Sequence, residues 1–197
     1  MTLSASLLLY PFANLAPATC AGVLAVLVNT AWPLQRNRRL ILALQSASAM
    51  LFGVHYLLLG APTAAAMNAA GVIQAVGAAT IGNRRLRGAV FGITIAASLA
   101  TTIATFAGVT SMLAQSGGLL SALGRLHRAP QAIRWCFLAS EVFWVSHNLL
   151  VGSRWGLTSD TLAVTMLVIG LARGGAIATL RDILRTRAAV ARRGRFS

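Results

Sequence analysis

From Gly88 to Gly124 the chain carries no charged side chain. A hydrocarbon layer about 30 Å thick is crossed by roughly 20 helical residues, so this stretch is too long for one crossing and just enough for two short ones. The break is expected near Gly108 to Ser111. Further apolar runs lie on both sides: Phe12 to Leu34, Leu40 to Gly60, Thr63 to Gly82, Gln131 to Gly152, and Trp155 to Ala172. The punctuation between them is arginine, at Arg36, Arg38 and Arg39, at Arg84, Arg85 and Arg87, and at Arg125 and Arg128. The chain reads as an all-α polytopic membrane protein with seven transmembrane helices.

Charge supports that reading. Only 10% of the residues are charged and 57% are hydrophobic, where a soluble domain carries about 25% charge. A net charge of +14 would point to nucleic acid in a soluble protein. Here every basic residue is Arg, and most stand in short clusters between apolar runs. We read them as a topology signal and expect no nucleic-acid partner. With seven spans and the N-terminus outside, the clusters all face the cytoplasm and Arg154 alone lies outside. A single span over Gly88 to Gly124 would put Arg125, Arg128 and the Arg-rich tail outside, so seven spans are preferred. Tyr10, Tyr56 and Trp155 then fall near the outer boundary, and Trp32 and Trp135 near the inner one. Cys20 and Cys136 both lie in apolar runs, so no disulfide framework is indicated. No basic stretch precedes the first apolar run, and a cleaved signal peptide is not expected.

The chain also echoes itself. Placed 92 residues apart, Ser48 meets Ser140, Phe52 meets Trp144, His55 meets His147, Gly60 meets Gly152 and Asn68 meets Asp160. The chain has only three histidines, and two of them fall in this register. The echo implies two parallel three-helix repeats joined by a linker helix, a 3+1+3 plan. Residues 1–87 would form the first repeat, 88–108 the linker, 109–175 the second repeat and 176–197 a basic cytoplasmic tail.

The polar residues inside the apolar runs are the candidate site. At helical spacing Arg134, Glu141 and Asn148 fall in one line, flanked by Ser140, Trp144 and His147. Leu138, Val142, Leu149 and Leu150 take the opposite, lipid-facing side. Gln45, Ser48, Phe52, His55 and Tyr56 form a matching face. An ionisable group in hydrocarbon is costly, by about 2.5–3.5 kcal/mol on insertion scales, and so faces a bundle interior or a wet cavity. Glu141 and Asp160 from repeat-related spans therefore suggest a central polar cavity opening outward. Plainer readings stay open. Glu141 pairs with a histidine or an arginine as structural glue, or Asp160 is a carboxylate at a helix start. The histidines are neutral interhelical bridges, or Phe52 and Trp144 are packing. Ala64, Gly71, Ala75 and Ala78 make a small-residue stripe that allows close helix approach, interrupted by Asn68. The tail from Ala176 to Ala191 reads as a basic amphipathic helix on anionic lipid. No metal-ligand cluster, phosphate-cradling loop or oriented nucleophile assembles, so no enzyme, no cofactor and no metal is expected.

The seven-span plan with parallel repeats resembles the SWEET and PQ-loop superfamily of small-solute transporters. Trp32-Pro33-Leu34-Gln35 is close to its Pro-Gln signature, and Pro130-Gln131 has the dipeptide. The resemblance implies that Asn68 and Asp160 flank the solute, that Phe52 and Trp144 close over it, and that Asp160 takes up a proton as in acid-coupled PQ-loop carriers. More specifically, His-Tyr-Leu-Leu-Leu-Gly at His55 to Gly60, His-Asn-Leu-Leu-Val-Gly at His147 to Gly152 and the basic clusters before them resemble the YgjV-like family of bacterial inner-membrane proteins. That likeness covers about residues 12 to 175 and implies a location, not an activity. The expectation is a carrier for a small polar solute, sugar-like or amino-acid-like. Asn68, Asp160, Phe52 and Trp144 would contact the solute, and Glu141, His55 and His147 would tune charge or carry a proton. The alternative is a non-transporting scaffold whose tail binds lipid or a partner. A homo-oligomer is left open by the sequence.

Overall fold

The computed structural model describes the backbone of residues 6–193 and the side chains of 17–175. Seven α-helices make up the described chain: α1 (Ser6–Ala31), α2 (Arg38–Leu58), α3 (Pro62–Thr80), α4 (Arg84–Ala104), α5 (Val109–Leu126), α6 (Pro130–Val151) and α7 (Arg154–Arg193), with a 3-10 turn at Trp32–Leu34. Their ends follow from local chemistry. Asn37 and Asn83 cap α2 and α4, their side chains accepting from the backbone N–H of Arg39 and of Arg85 and Leu86. Pro62 and Pro130 open α3 and α6, where a missing N–H is harmless. Gly60 and Gly152 follow α2 and α6 with φ of 72° and 67°, a left-handed backbone that glycine adopts without a Cβ clash.

The expected count of seven spans is corrected by the structure. Among the described residues, four helical segments are long and apolar enough to cross a membrane: Pro17–Leu34, Arg38–Leu58, Arg84–Ala104 and Arg154–Gly175. The remaining helices carry a large share of the interior's polar residues. Asn68 and Gln74 lie on α3, Gln115 and Arg125 on α5, and Arg134, Glu141, His147 and Asn148 on α6. These side chains, with many glycines and alanines, dilute the hydropathy that the sequence reading credited to each run. The 3+1+3 plan of two parallel repeats and a linker is not resolved either. The helix between the supposed halves is bonded into the bundle, through Gln74 Nε2 to Thr94 Oγ1 at 3.0 Å and Thr102 Oγ1 to Gln115 Oε1 at 2.7 Å. The supposed halves are stitched directly as well, α3 packing on α5 and α1 on α7.

The bundle is apolar outside and partly polar inside. Leu27, Leu57, Ile93, Ile103, Val142, Leu149 and Leu150 are exposed, whereas Gln45, Ser48, His55, Arg134, Asn148 and Asp160 are buried. That inversion suits a lipid solvent, where polar groups turn inward. Leu138, expected on the lipid side with Val142, instead packs beside Ile133 and Leu167. Tyr56 and Trp32, expected at the membrane boundaries, are core residues. The side chains of the basic tail, residues 176–197, lie outside the described residues.

Candidate functional site

Six helices converge on a central cavity with a volume of about 70 Å³. Asn29 reaches it from α1, Gln45, Ser48, Phe52 and Tyr56 from α2, and Met67 and Asn68 from α3. Ser121 and Arg125 of α5, Phe137, Glu141 and Trp144 of α6, and Asp160 of α7 complete the ring. The structure thus brings Asn68, Asp160, Phe52, Trp144 and Glu141 together on one lining.

One wall is aromatic. Phe52 stacks on Tyr56 at 5.8 Å between ring centroids, and Tyr56 stacks on Trp144 at 6.0 Å. His147 sets its edge against both Tyr56 and Trp144, at 5.7 and 5.8 Å. Gly117 makes room for this wall, since a Cβ there would stand 2.8 Å from Trp144 Nε1.

The opposite chemistry is a carboxyl pair. Asn148 Nδ2 donates to Asp160 Oδ2 at 2.8 Å, and Tyr56 Oη donates to Asn148 Oδ1 at 2.8 Å. The Glu141 and Asp160 carboxyl groups share the lining and act electrostatically on one another. Among the described residues Glu141 makes no ion pair with a histidine or with Arg134, and its Oε2 has no partner. Arg134 instead donates to the carbonyls of Pro33 and Gln35, at 2.7 and 2.6 Å, and closes the end of α1.

Arg125 supplies the cavity's cation. Its Nη1 donates to Gln74 Oε1 at 3.2 Å and its guanidinium lies 5.2 Å from the Phe137 ring centroid. Several buried atoms here have no partner: both amide atoms of Gln45, Glu141 Oε2 and Arg125 Nε.

His55 and His147 stand off the lining and make the same contact. His55 Nδ1 donates to Ala18 O at 2.8 Å and His147 Nδ1 to Thr110 O at 3.0 Å, each carbonyl 37 residues before its histidine. His55 Nε2 bonds with Ser153 Oγ at 3.0 Å, so both ring nitrogens of His55 are bonded.

Sequence reasoning set Tyr56 on the polar face of α2 without a role in the site, and missed Arg125 and Asn29. Tyr56 carried the signal of a boundary aromatic and Arg125 that of a loop cation. Asn29 sits in an apolar run whose only polar cue is the amide itself; its Nδ2 donates to Ser159 Oγ at 2.9 Å.

The model of a family of bacterial inner-membrane proteins, Imp-YgjV, matches residues 17–176. The chain belongs to the Imp-YgjV family. As a member it is a polytopic inner-membrane protein of bacteria. Among the described residues of this Imp-YgjV protein, no three His, Cys, Asp or Glu side chains are grouped to hold a metal ion. Neither the curated proteins nor the solved structures give a match. The match carries the YgjV part of the sequence resemblance and does not extend to the SWEET and PQ-loop carriers.

Proposed function

We propose that the central cavity binds a small polar solute, sugar-like or amino-acid-like, and that the protein carries it across the inner membrane. The observation behind this reading is the set of unpartnered buried atoms on Gln45, Glu141 and Arg125, all three of which line the same cavity. A buried donor or acceptor left unmade costs about 1–3 kcal/mol, and native proteins leave few of them. A solute offering both donors and acceptors satisfies these atoms, while the Phe52–Tyr56–Trp144 wall packs against its less polar face. Asn68 and Asp160 contact the solute in this reading. Glu141 and Asp160, two carboxyls on one lining, give transport a route to proton coupling, with the two histidines setting the wall in place.

The orientation in this proposal has the basic end in the cytoplasm. Arg38 donates to the carbonyls of Ala78, Arg125 and His127, which gathers the starts and ends of several helices at one pole. Excess arginine marks the inner side of such proteins. Labelling Arg84→Cys and Arg154→Cys variants in a Cys20→Ser, Cys136→Ser background with an impermeant thiol reagent tests it. Labelling of position 84 from outside would reverse the assignment.

The solute reading is tested by thermal unfolding of the purified protein against sugars, amino acids and polyamines, at acidic and at neutral pH. A ligand at a hundred times its Kd adds about 2.7 kcal/mol of apparent stability. A shift confined to one chemical class, and lost in Asp160→Ala, supports the site. No shift with any class, in a protein whose tail deletion alone removes function in cells, would replace the carrier with the scaffold.

A further inference from the structure

A second cavity lies at the basic pole, apart from the central one. Its volume is about 610 Å³, and Asn37, Arg38, Arg39, Thr80, Arg87 and Arg128 are among its lining. Four guanidinium groups thus share one pocket. Among residues 17–175 the only carboxylates are Glu141 and Asp160, and both belong to the central cavity. The charges are mutually felt, since Arg87 and Arg128 act electrostatically on Arg38.

The four arginines are not equivalent. Arg38 is occupied, donating to Ala78 O at 2.8 Å, His127 O at 3.0 Å and Arg125 O at 3.1 Å. It holds the ends of α3 and α5 and forms the floor. Arg87 makes one long bond, from Nη1 to Ile81 O at 3.3 Å. Arg39 and Arg128 are exposed and spend no side-chain bond on the protein. A cluster of like charges with spare N–H donors and no carboxylate is completed by an anion, and the fork of a guanidinium matches phosphate oxygens.

The surroundings decide what carries the phosphate. Leu40, next to Arg39, and Leu86, next to Arg87, are 43% and 56% exposed. Apolar side chains therefore continue outward from the charged rim, as acyl chains require beneath a headgroup. We propose that this pocket binds the headgroup of an anionic phospholipid, its phosphate held by Arg39, Arg87 and Arg128 over Arg38, and its chains lying along the surface of α2 and α4. The site is independent of the central cavity and of whether the protein transports anything.

The test uses the full-length protein purified in a mild detergent and presented with phosphatidylglycerol, phosphatidylcholine or inorganic phosphate, bound species being counted by native mass spectrometry. Arg39→Gln with Arg128→Gln leaves the backbone bonds of Arg38 in place, and Arg154→Gln at the far pole is the control. Phosphatidylglycerol is expected to be retained in preference to phosphatidylcholine. Each arginine removed weakens that retention about 5-fold, so the double variant loses roughly 30-fold, and the control loses none. Equal retention of both lipids, or equal retention by wild type and double variant, overturns the proposal. Displacement of the lipid by inorganic phosphate at equal concentration overturns it in favour of a soluble-anion site. A double variant that unfolds is replaced by Arg39→Lys with Arg128→Lys, which keeps the charge and loses the fork; a several-fold weaker retention is then expected, and none would count against the site.

Discussion

Asn148 on α6 donates to Asp160 on α7 at 2.8 Å while accepting from Tyr56 on α2 at the same distance. One fully buried amide therefore ties three helices together at the edge of the central cavity. Apolar replacement strands both partners. Asn148→Ala is expected to lose about 1–3 kcal/mol for each group left unpaired, and Tyr56→Phe only about 1 kcal/mol. Unfolding in detergent by denaturant titration measures both, and an Asn148→Ala protein as stable as wild type would contradict the assignment.

The carboxyl pair yields a separation of fold from proton chemistry. Glu141→Gln keeps the size and polarity of the side chain and removes the titratable group. The variant is expected to unfold within about 1 kcal/mol of wild type, the scale of a single exchanged hydrogen bond. In proteoliposomes its solute uptake no longer responds to an imposed proton gradient. An intact response would remove Glu141 from any coupling role.

Glycine positions divide by what surrounds them. At Gly117 an added methyl meets the Trp144 indole, whereas at Gly92 it meets open space. Gly117→Ala is expected to cost about 1–3 kcal/mol by overpacking and to weaken solute binding by moving the aromatic wall. Gly92→Ala should gain about 0.5–1 kcal/mol through helix propensity. Parallel melts of the two variants decide it, and equal effects would mean that the wall is not packed as described.

The two histidines make unequal contributions despite their matched contacts. His55 bonds through both ring nitrogens, to Ala18 O and Ser153 Oγ, while His147 bonds through Nδ1 alone. His55→Ala should therefore destabilise more than His147→Ala, by about 1 kcal/mol for the additional hydrogen bond. The reverse order in a melt would show that the unpartnered Nε2 of His147 has a partner in the membrane.

Much of this protein is written in local pattern. Apolar runs, arginine clusters and the turns at Gly60 and Gly152 depend on a few adjacent residues, so helix ends could be read from order alone. The polar faces of α2 and α6 were legible for the same reason, because helical geometry projects residues at fixed spacing onto one side. Phe52, Glu141 and Trp144 were placed this way, whereas Asn68 and Asp160 came from the 92-residue echo. The count of spans was not legible. Hydropathy treats a run as lipid-facing throughout, while α3, α5 and α6 spend their polar residues on one another inside the bundle. Nor did the order of residues show that Arg125 turns into the cavity and Arg134 onto the turn after α1, since Arg125 carried a loop signature and Arg134 that of the polar face of α6.

The sequence by itself determined a bacterial membrane bundle, its helix boundaries and which residues cannot face lipid, since each follows from short-range sterics and from the cost of polarity in hydrocarbon. Tertiary structure alone decided the partners. Tyr56 with Asn148 and Asn29 with Ser159 are joined by the packing of helices distant in the chain, and a hydrogen bond between such residues leaves no mark on either one's neighbours.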